Sequence, residues 1–160
     1  MLIRTALVHV WLLVALGVVS VPRPLGGVPA QGVTPPLWRL TFRGEFRGVA
    51  ADGRSDVWEG TVNGAARGRV TVELRQVEGP LAAASPVWHV VTHWSVDDPA
   101  GARSFHAELE GMVDWRTGVT QLGGMITDGW MRGAWAEVDG RFVRGDPAGS
   151  VTISPNLAAR

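Results

Sequence analysis

Three histidines and two glutamates are the residues of this 160-residue chain whose types and spacing could support chemistry. His89 and His93 are four residues apart, and His106, Glu108 and Glu110 follow at alternate positions. Imidazole and carboxylate groups can together bind zinc or copper, or act as a general acid and base. The cluster is therefore a candidate metal or catalytic site. The simpler interpretation, which we favour, is a solvent-exposed strand face without a specific role.

Alternating polar and apolar residues predict that this cluster stands on two β-strands. Between 88 and 96 the even-numbered residues are mostly apolar, whereas the odd-numbered ones include both histidines. The same alternation occurs at 38–48, 57–62, 67–75 and 104–113, and more weakly at 119–127, 130–138, 141–145 and 149–154. One apolar face on every strand predicts an all-β fold, an antiparallel up-and-down meander of about eight strands. The meander can close into a small β-barrel, which we favour, or fold into a two-sheet sandwich.

Turn-forming residues separate the predicted strands. The turns are expected at Ala51-Asp52-Gly53, Asn63-Gly64, Glu78-Gly79-Pro80, Asp98-Pro99-Ala100-Gly101, Arg116-Thr117-Gly118, Asp128-Gly129 and Asp139-Gly140. Glycines also recur on the apolar faces, where the strong curvature of a barrel strand would require them. These glycines are Gly44, Gly48, Gly60, Gly68 and Gly111.

One hairpin register can be predicted from its turn. The residues from Asp98 to Gly101 are those of a type I turn, and pairing these two residues would set the strands on either side. Trp94 would then lie opposite Phe105 on the apolar face. On the polar face, the same register sets His93 opposite His106, His89 opposite Glu110 and Val91 opposite Glu108.

Tryptophan is abundant, with eight residues in the chain. Four of them share the apolar phase of their strands, and a fifth lies beside a predicted turn. Together with one phenylalanine they are candidates for lining an apolar ligand cavity: Trp38, Trp58, Trp88, Trp94, Phe105 and Trp115. The alternative is that they fill a solid core. Trp130 and Trp135 have opposite phases, so one of them is expected to face outward as a binding edge.

Composition excludes several classes of function. All 15 basic residues are arginine and are balanced by 15 acidic residues, so neither nucleic acid nor a membrane surface is an expected partner of the domain. The absence of cysteine excludes disulfides and thiolate metal sites. Neither a phosphate-binding glycine loop nor a serine-nucleophile motif is present, and no cofactor is predicted.

The first thirty residues are typical of an export signal. A short basic start leads into an apolar run from Thr5 to Val21, and Val28-Pro29-Ala30 supplies small residues for cleavage. An uncleaved membrane anchor is the alternative. We therefore expect a secreted, periplasmic or envelope protein with a signal peptide at 1–30, a linker at 31–36, one barrel domain at 37–154 and a tail at 155–160.

A run of glycine-punctuated hairpins resembles a known type of barrel. It comprises 110–118, Leu122-Gly123-Gly124, Asp128-Gly129-Trp130 and Arg132-Gly133-Ala134. This run, within 104–153, is similar to exported bacterial proteins of unknown function, which in turn resemble the calycin-like eight-stranded barrels of the allene oxide cyclase and dirigent type. The resemblance implies a small barrel with an apolar cavity. No position matches a catalytic residue of that type.

Three functions remain open at this point. We favour an exported, non-catalytic barrel that binds a small apolar ligand or an envelope partner. The second is a cyclase- or isomerase-like enzyme working inside the barrel, and the third is a structural or adhesive envelope domain with a filled core. Inward-pointing polar groups would favour the enzyme, whereas an interior filled by side chains would favour the structural domain.

Overall fold

The computed structural model describes residues 36–78 and 85–155, which form eight antiparallel strands. They are β1 (Trp38–Val49), β2 (Asp56–Gly64), β3 (Gly68–Gln76), β4 (Val87–Asp97), β5 (Phe105–Asp114), β6 (Val119–Gly129), β7 (Trp135–Val143) and β8 (Asp146–Ser154). Each strand pairs with the next, and β8 pairs with β1, so the meander closes into a barrel. The predicted barrel is confirmed and the sandwich alternative is wrong. The predicted signal peptide lies outside the described residues.

The interior of the barrel holds the apolar face of every strand. Alternation along each strand sends one side chain inward and the next to solvent, and the burial of the residues follows that period. Two tryptophans, Trp58 and Trp94, are only 3% and 4% exposed. Branched aliphatic residues such as Leu40, Leu109 and Ile153 pack around them. Within the described ranges, no helix is long and apolar enough to span a membrane.

Two inward glycines allow neighbouring strands to approach closely. A Cβ atom at Gly60 would overlap the carbonyl oxygen of Arg43 on β1, and one at Gly111 would overlap the carbonyl oxygen of Gln121 on β6. Neither glycine has a positive φ, so the requirement is for space and not for an unusual backbone conformation. The predicted need for glycine on the apolar face is thus met here by close backbone approach, whereas its role in strand curvature stays a prediction.

The β4–β5 hairpin keeps its predicted faces but has a different register. The turn forms as expected, since the Gly101 N–H donates to the Asp98 carbonyl at 2.6 Å. The chain then makes a second turn, and the Asp98 N–H donates to Ser104 Oγ at 3.0 Å before β5 begins. Trp94 therefore pairs with Ala107, and the predicted pairing with Phe105 is wrong by two residues. A shift of two leaves every side chain on its own face, which is why alternation could not detect it.

The last two hairpins also differ from the prediction. The expected turn at Asp139-Gly140 lies inside β7, which joins two segments that alternation had separated. The β7–β8 turn is formed by Arg144 and Gly145, with φ values of 57° and 93°. Positive φ at both residues suits a two-residue hairpin, but arginine is not a typical residue there. Trp130, predicted to begin a strand, belongs to the turn between β6 and β7.

Candidate functional site

The predicted histidine–glutamate cluster lies on the outer wall of the barrel. His93 is exposed and stands between two glutamates, because it pairs across the sheet with Glu73 on β3 and Glu108 on β5. His106 pairs with Ser95, so the predicted His93–His106 pair is wrong. These side chains line a shallow groove of about 320 Å³.

His89 belongs to a separate part of the same wall. Its Nε2 lies 2.6 Å from Glu110 Oε1, while Nδ1 is 3.9 Å from Glu78 Oε1. The backbone N–H of His89 also donates to Glu78 Oε2 at 3.2 Å. Across the sheet its partner is Met112, so the predicted direct pairing with Glu110 is wrong, although the two side chains meet diagonally. Over 36–78 and 85–155, the geometry brings no three His, Asp or Glu side chains close enough to hold a metal ion.

Replacing His93 by alanine should change the free energy of unfolding by less than about 0.5 kcal/mol, because the side chain is exposed on the outer wall. Urea denaturation of the purified variant measures this change. A loss above about 1.5 kcal/mol would contradict this expectation, because it would require packing or hydrogen-bonding contacts that an exposed side chain does not make.

The barrel interior is filled by its own side chains. The Trp94 indole packs edge-to-face on Phe42, with ring centroids 4.9 Å apart. Its Nε1 donates to Thr92 Oγ1 at 3.0 Å, and that hydroxyl donates to the Leu109 carbonyl at 3.2 Å. The space left beside these groups is a cavity of about 20 Å³ lined also by Thr120. Sites for small ligands are typically of about 300–1,000 Å³, so this cavity is far too small to hold one.

One end of the barrel, here named the Trp58 end, is closed by a row of aromatic rings. In order across the opening they are Phe46, Trp58, Phe142, Trp115 and Trp88, with successive centroids 5.5, 5.3, 4.8 and 5.2 Å apart. The Trp58 Nε1 donates to the Gly145 carbonyl at 2.8 Å, which ties the row to the β7–β8 turn. Three of the predicted cavity-lining tryptophans, Trp58, Trp88 and Trp115, therefore meet at this end. Two buried donors, Gln76 Nε2 and Trp115 Nε1, have no partner among the residues that the structure describes.

The opposite end, named the Trp38 end, is closed by an arginine. The Arg103 guanidinium carbon lies 5.8 Å from the Trp38 ring centroid and 5.6 Å from that of Trp130. The two indoles meet edge-to-face at 5.8 Å, and Phe105 packs beside Trp130. Arg103 Nη1 also donates to the Ala65 carbonyl, so one side chain links β1, the β2–β3 turn and the β6–β7 turn. The extra turn that shifted the β4–β5 register places Arg103 here.

Arg103→Ala should lower the free energy of unfolding by about 1 kcal/mol, because it removes a cation from two indole rings at a partly exposed site. Urea denaturation with tryptophan fluorescence measures the change. Arg132→Ala, in an exposed turn at the same end, is the matched control and should have almost no effect. Equal losses in both variants would contradict the role given to Arg103.

Trp135 is the tryptophan that faces outward, as the opposite phases of Trp130 and Trp135 had predicted for one of them. It is 41% exposed and lies over Gly123, where a Cβ atom would be 2.9 Å from its Cζ2. Its Nε1 donates to Glu137 Oε1 at 3.2 Å, and its cross-strand partner is Met125. Because glycine leaves the sheet surface bare, the indole rests on it with its outer side open to solvent. Exposed tryptophan and methionine are typical of interaction surfaces.

A second groove, missed by the sequence analysis, lies on the outer wall over β1, β2 and β3. It has a volume of about 410 Å³, and Arg43 and Arg69 flank Thr61 within it. In the described part of the chain neither arginine forms an ion pair, whereas Arg47 is held by Glu45 and Glu59. Arginine at every fourth residue of β1, at Arg39, Arg43 and Arg47, was the signal available in the sequence. The overall balance of charge concealed it.

Three carboxyls with shifted pKa values lie near the Trp58 end. The Arg54 N–H and the Ser55 hydroxyl donate to Asp52, which lowers its pKa. Burial raises the pKa of Asp56. Burial also acts to raise the pKa of Asp114, but hydrogen bonds from Thr117 and Arg116 outweigh it and lower the value. Asp52 and Asp114 receive these bonds within turns, so their shifts reflect turn formation.

No protein-family model, curated protein or solved structure matches this chain. The structure therefore supports the resemblance noted in the sequence at the level of the fold alone, which is an eight-stranded antiparallel barrel.

Proposed function

We propose that this protein is an exported, non-catalytic β-barrel that acts by binding an envelope partner through its outer wall. The filled interior, with a cavity of about 20 Å³, argues against a ligand inside the barrel but is equally expected of the structural envelope domain. A small apolar ligand needs far more space than that cavity offers. The observation that carries binding is therefore the exposed Trp135 beside Met125 on the outer wall, since such residues are enriched at protein interfaces.

The polar groups inside the barrel also favour binding over catalysis. Among the described residues, the fully buried polar side chains are Thr92 and Thr120 on the strands and Ser55 in the β1–β2 turn, and the half-buried Gln76 adds a buried Nε2. Each hydroxyl donates a hydrogen bond within the domain, to Asp52, Leu109 and Gly118 respectively. General acid–base chemistry needs a titratable group near the substrate, and these hydroxyls do not provide one. The likeness to the allene oxide cyclase and dirigent type of barrel remains part of this proposal at the level of architecture.

Retention in the envelope of the native host tests the function. The wild-type protein is expected in the washed envelope fraction, and Trp135→Ala should release most of it while the purified variant stays folded. Trp94→Phe, which alters only the interior, is the control and should be retained. Release of Trp94→Phe with retention of Trp135→Ala would contradict binding through the wall.

A second measurement tests the interior directly. The purified protein is titrated with 1-anilinonaphthalene-8-sulfonate, a small apolar fluorescent probe, while its melting temperature is followed. We expect no saturable binding and no change in melting temperature, since a ligand stabilises a protein only when the folded state binds it. Saturable one-to-one binding with a raised melting temperature would favour the small-ligand function.

A further inference from the structure

We infer that copies of this protein associate head to tail, with the Trp135 wall of one copy on the arginine wall of the next. The inference rests on the proposed binding through the outer wall and names a second copy of the chain as a partner. We define the Trp135 wall as Trp135, Met125 and Met112 with the surrounding Glu108, Glu110 and Glu137. We define the arginine wall as Arg39, Arg43, Arg67 and Arg69 with Thr41, Thr61 and Asn63 between them.

The Trp135 wall has an apolar centre and an acidic surround. Met112 and Met125 are 46% and 36% exposed, and both methionines and Trp135 lie on β5–β7. Glu110 and Glu137 flank Gly123 across the sheet, and Glu108 pairs with Met125. An exposed indole among carboxylates is a favourable site for a guanidinium, which can stack on the ring and pair with the acids.

The arginine wall has the opposite character. Its four arginines are exposed, and none forms an ion pair with another described residue. Arg43 and Arg69 lie on either side of Thr61, which pairs with both across the sheet. Thr61 lies between them in the groove of about 410 Å³, whose lining also includes Arg47 with its two partners Glu45 and Glu59. Asp97 on β4 pairs with Arg69 across the sheet.

The two walls lie on opposite sides of the barrel. The Trp135 wall is centred on β6 and the arginine wall on β2. In a closed ring of eight strands these are four strands apart in either direction. A contact between opposite walls uses different surfaces on the two copies, so each copy keeps one wall free for the next. Such a contact builds an open chain rather than a symmetric dimer. In this contact the indole of one copy enters the groove over Thr61, between two guanidiniums of its neighbour.

Sedimentation of the purified full chain tests the association. The wild type should form species larger than a dimer as its concentration rises at low ionic strength. These species should dissociate at about 1 M salt, where the screening length falls to about 3 Å. Trp135→Ala and the double variant Arg43→Glu/Arg69→Glu should each weaken self-association at least tenfold. Arg54→Glu/Arg116→Glu, an equivalent double charge reversal in two exposed turns, is the matched control and should associate like the wild type.

Mixing the two deficient proteins gives the decisive result. Trp135→Ala keeps an intact arginine wall and the double variant keeps an intact Trp135 wall, so an equal mixture should form dimers and nothing larger. Met112→Glu replaces Trp135→Ala if that variant does not fold, as judged by circular dichroism. A wild type that stays monomeric, variants that associate like the wild type, or a mixture that fails to pair would each overturn the inference. A monomeric protein that is still retained in the envelope fraction would overturn self-association and leave the proposed function standing.

Discussion

Trp94→Ala should lower the free energy of unfolding by about 3–5 kcal/mol, because it leaves a large cavity in a packed interior. The indole is 4% exposed, and its removal also takes away the edge-to-face contact with Phe42. In addition, Thr92 loses the N–H that donates to its hydroxyl. The free energy of unfolding of a domain of this size is roughly 5–15 kcal/mol in total, so the variant should unfold at a much lower urea concentration. Urea denaturation followed by circular dichroism measures the loss.

Trp135→Ala is the matched control for that experiment. The same side chain is removed, but from the outer wall, where 41% of it is already exposed. The expected loss is about 1 kcal/mol or less, since no buried cavity is formed. If Trp135→Ala proved the more damaging of the two, the assignment of the inner and outer faces would be reversed.

Gly60→Ala should lower the free energy of unfolding by about 3 kcal/mol or more, at the upper end of the range for overpacked sites. The added methyl group would overlap the Arg43 carbonyl oxygen, which is a backbone atom of the neighbouring strand. A backbone atom cannot rotate away as a side chain can. Either the β1–β2 pairing must open locally or the strand must shift. The same urea titration measures the effect.

Gly123→Ala is the corresponding control, because its methyl group would meet a side chain and not the backbone. The atom in its way is Cζ2 of the exposed Trp135, at 2.9 Å, and the indole can turn outward. The expected change in the free energy of unfolding is below about 1 kcal/mol. Similar losses for Gly60→Ala and Gly123→Ala would show that close backbone approach is not what requires glycine on β2.

The candidate functional surfaces were only partly predictable. Trp130 and Trp135 were expected to face opposite ways, and the outward position of Trp135 is confirmed. The groove formed by Arg43, Thr61 and Arg69 was not predicted, because its residues are about 26 positions apart from first to last and meet only through pairing of three strands. A net charge near zero gave no indication that unpaired arginines collect on one wall.

The face on which the strand side chains lie was decided by local sequence, whereas the number of strands was not, since alternation divided β7 in two. Alternation has a period of two, so it settles which residues of β4 point inward whatever their partners are. His93 therefore lies on the outer wall and Trp94 inside, as predicted. Turn residues were less reliable. Asp139-Gly140 has the composition of a turn but lies within β7, where Gly140 leaves room for the Phe42 ring, 3.2 Å from where a Cβ atom would stand.

Only the tertiary structure decided the register, the volume of the interior and the placement of the two walls. The sequence is equally compatible with registers two residues apart, because both keep the apolar faces together. The observed one sets Trp94 against Ala107, so that a large side chain packs against a small one and the interior is filled. Closure of β8 on β1 then places β2 opposite β6. All three outcomes depend on the combined volume and pairing of all eight strands, which no single segment contains.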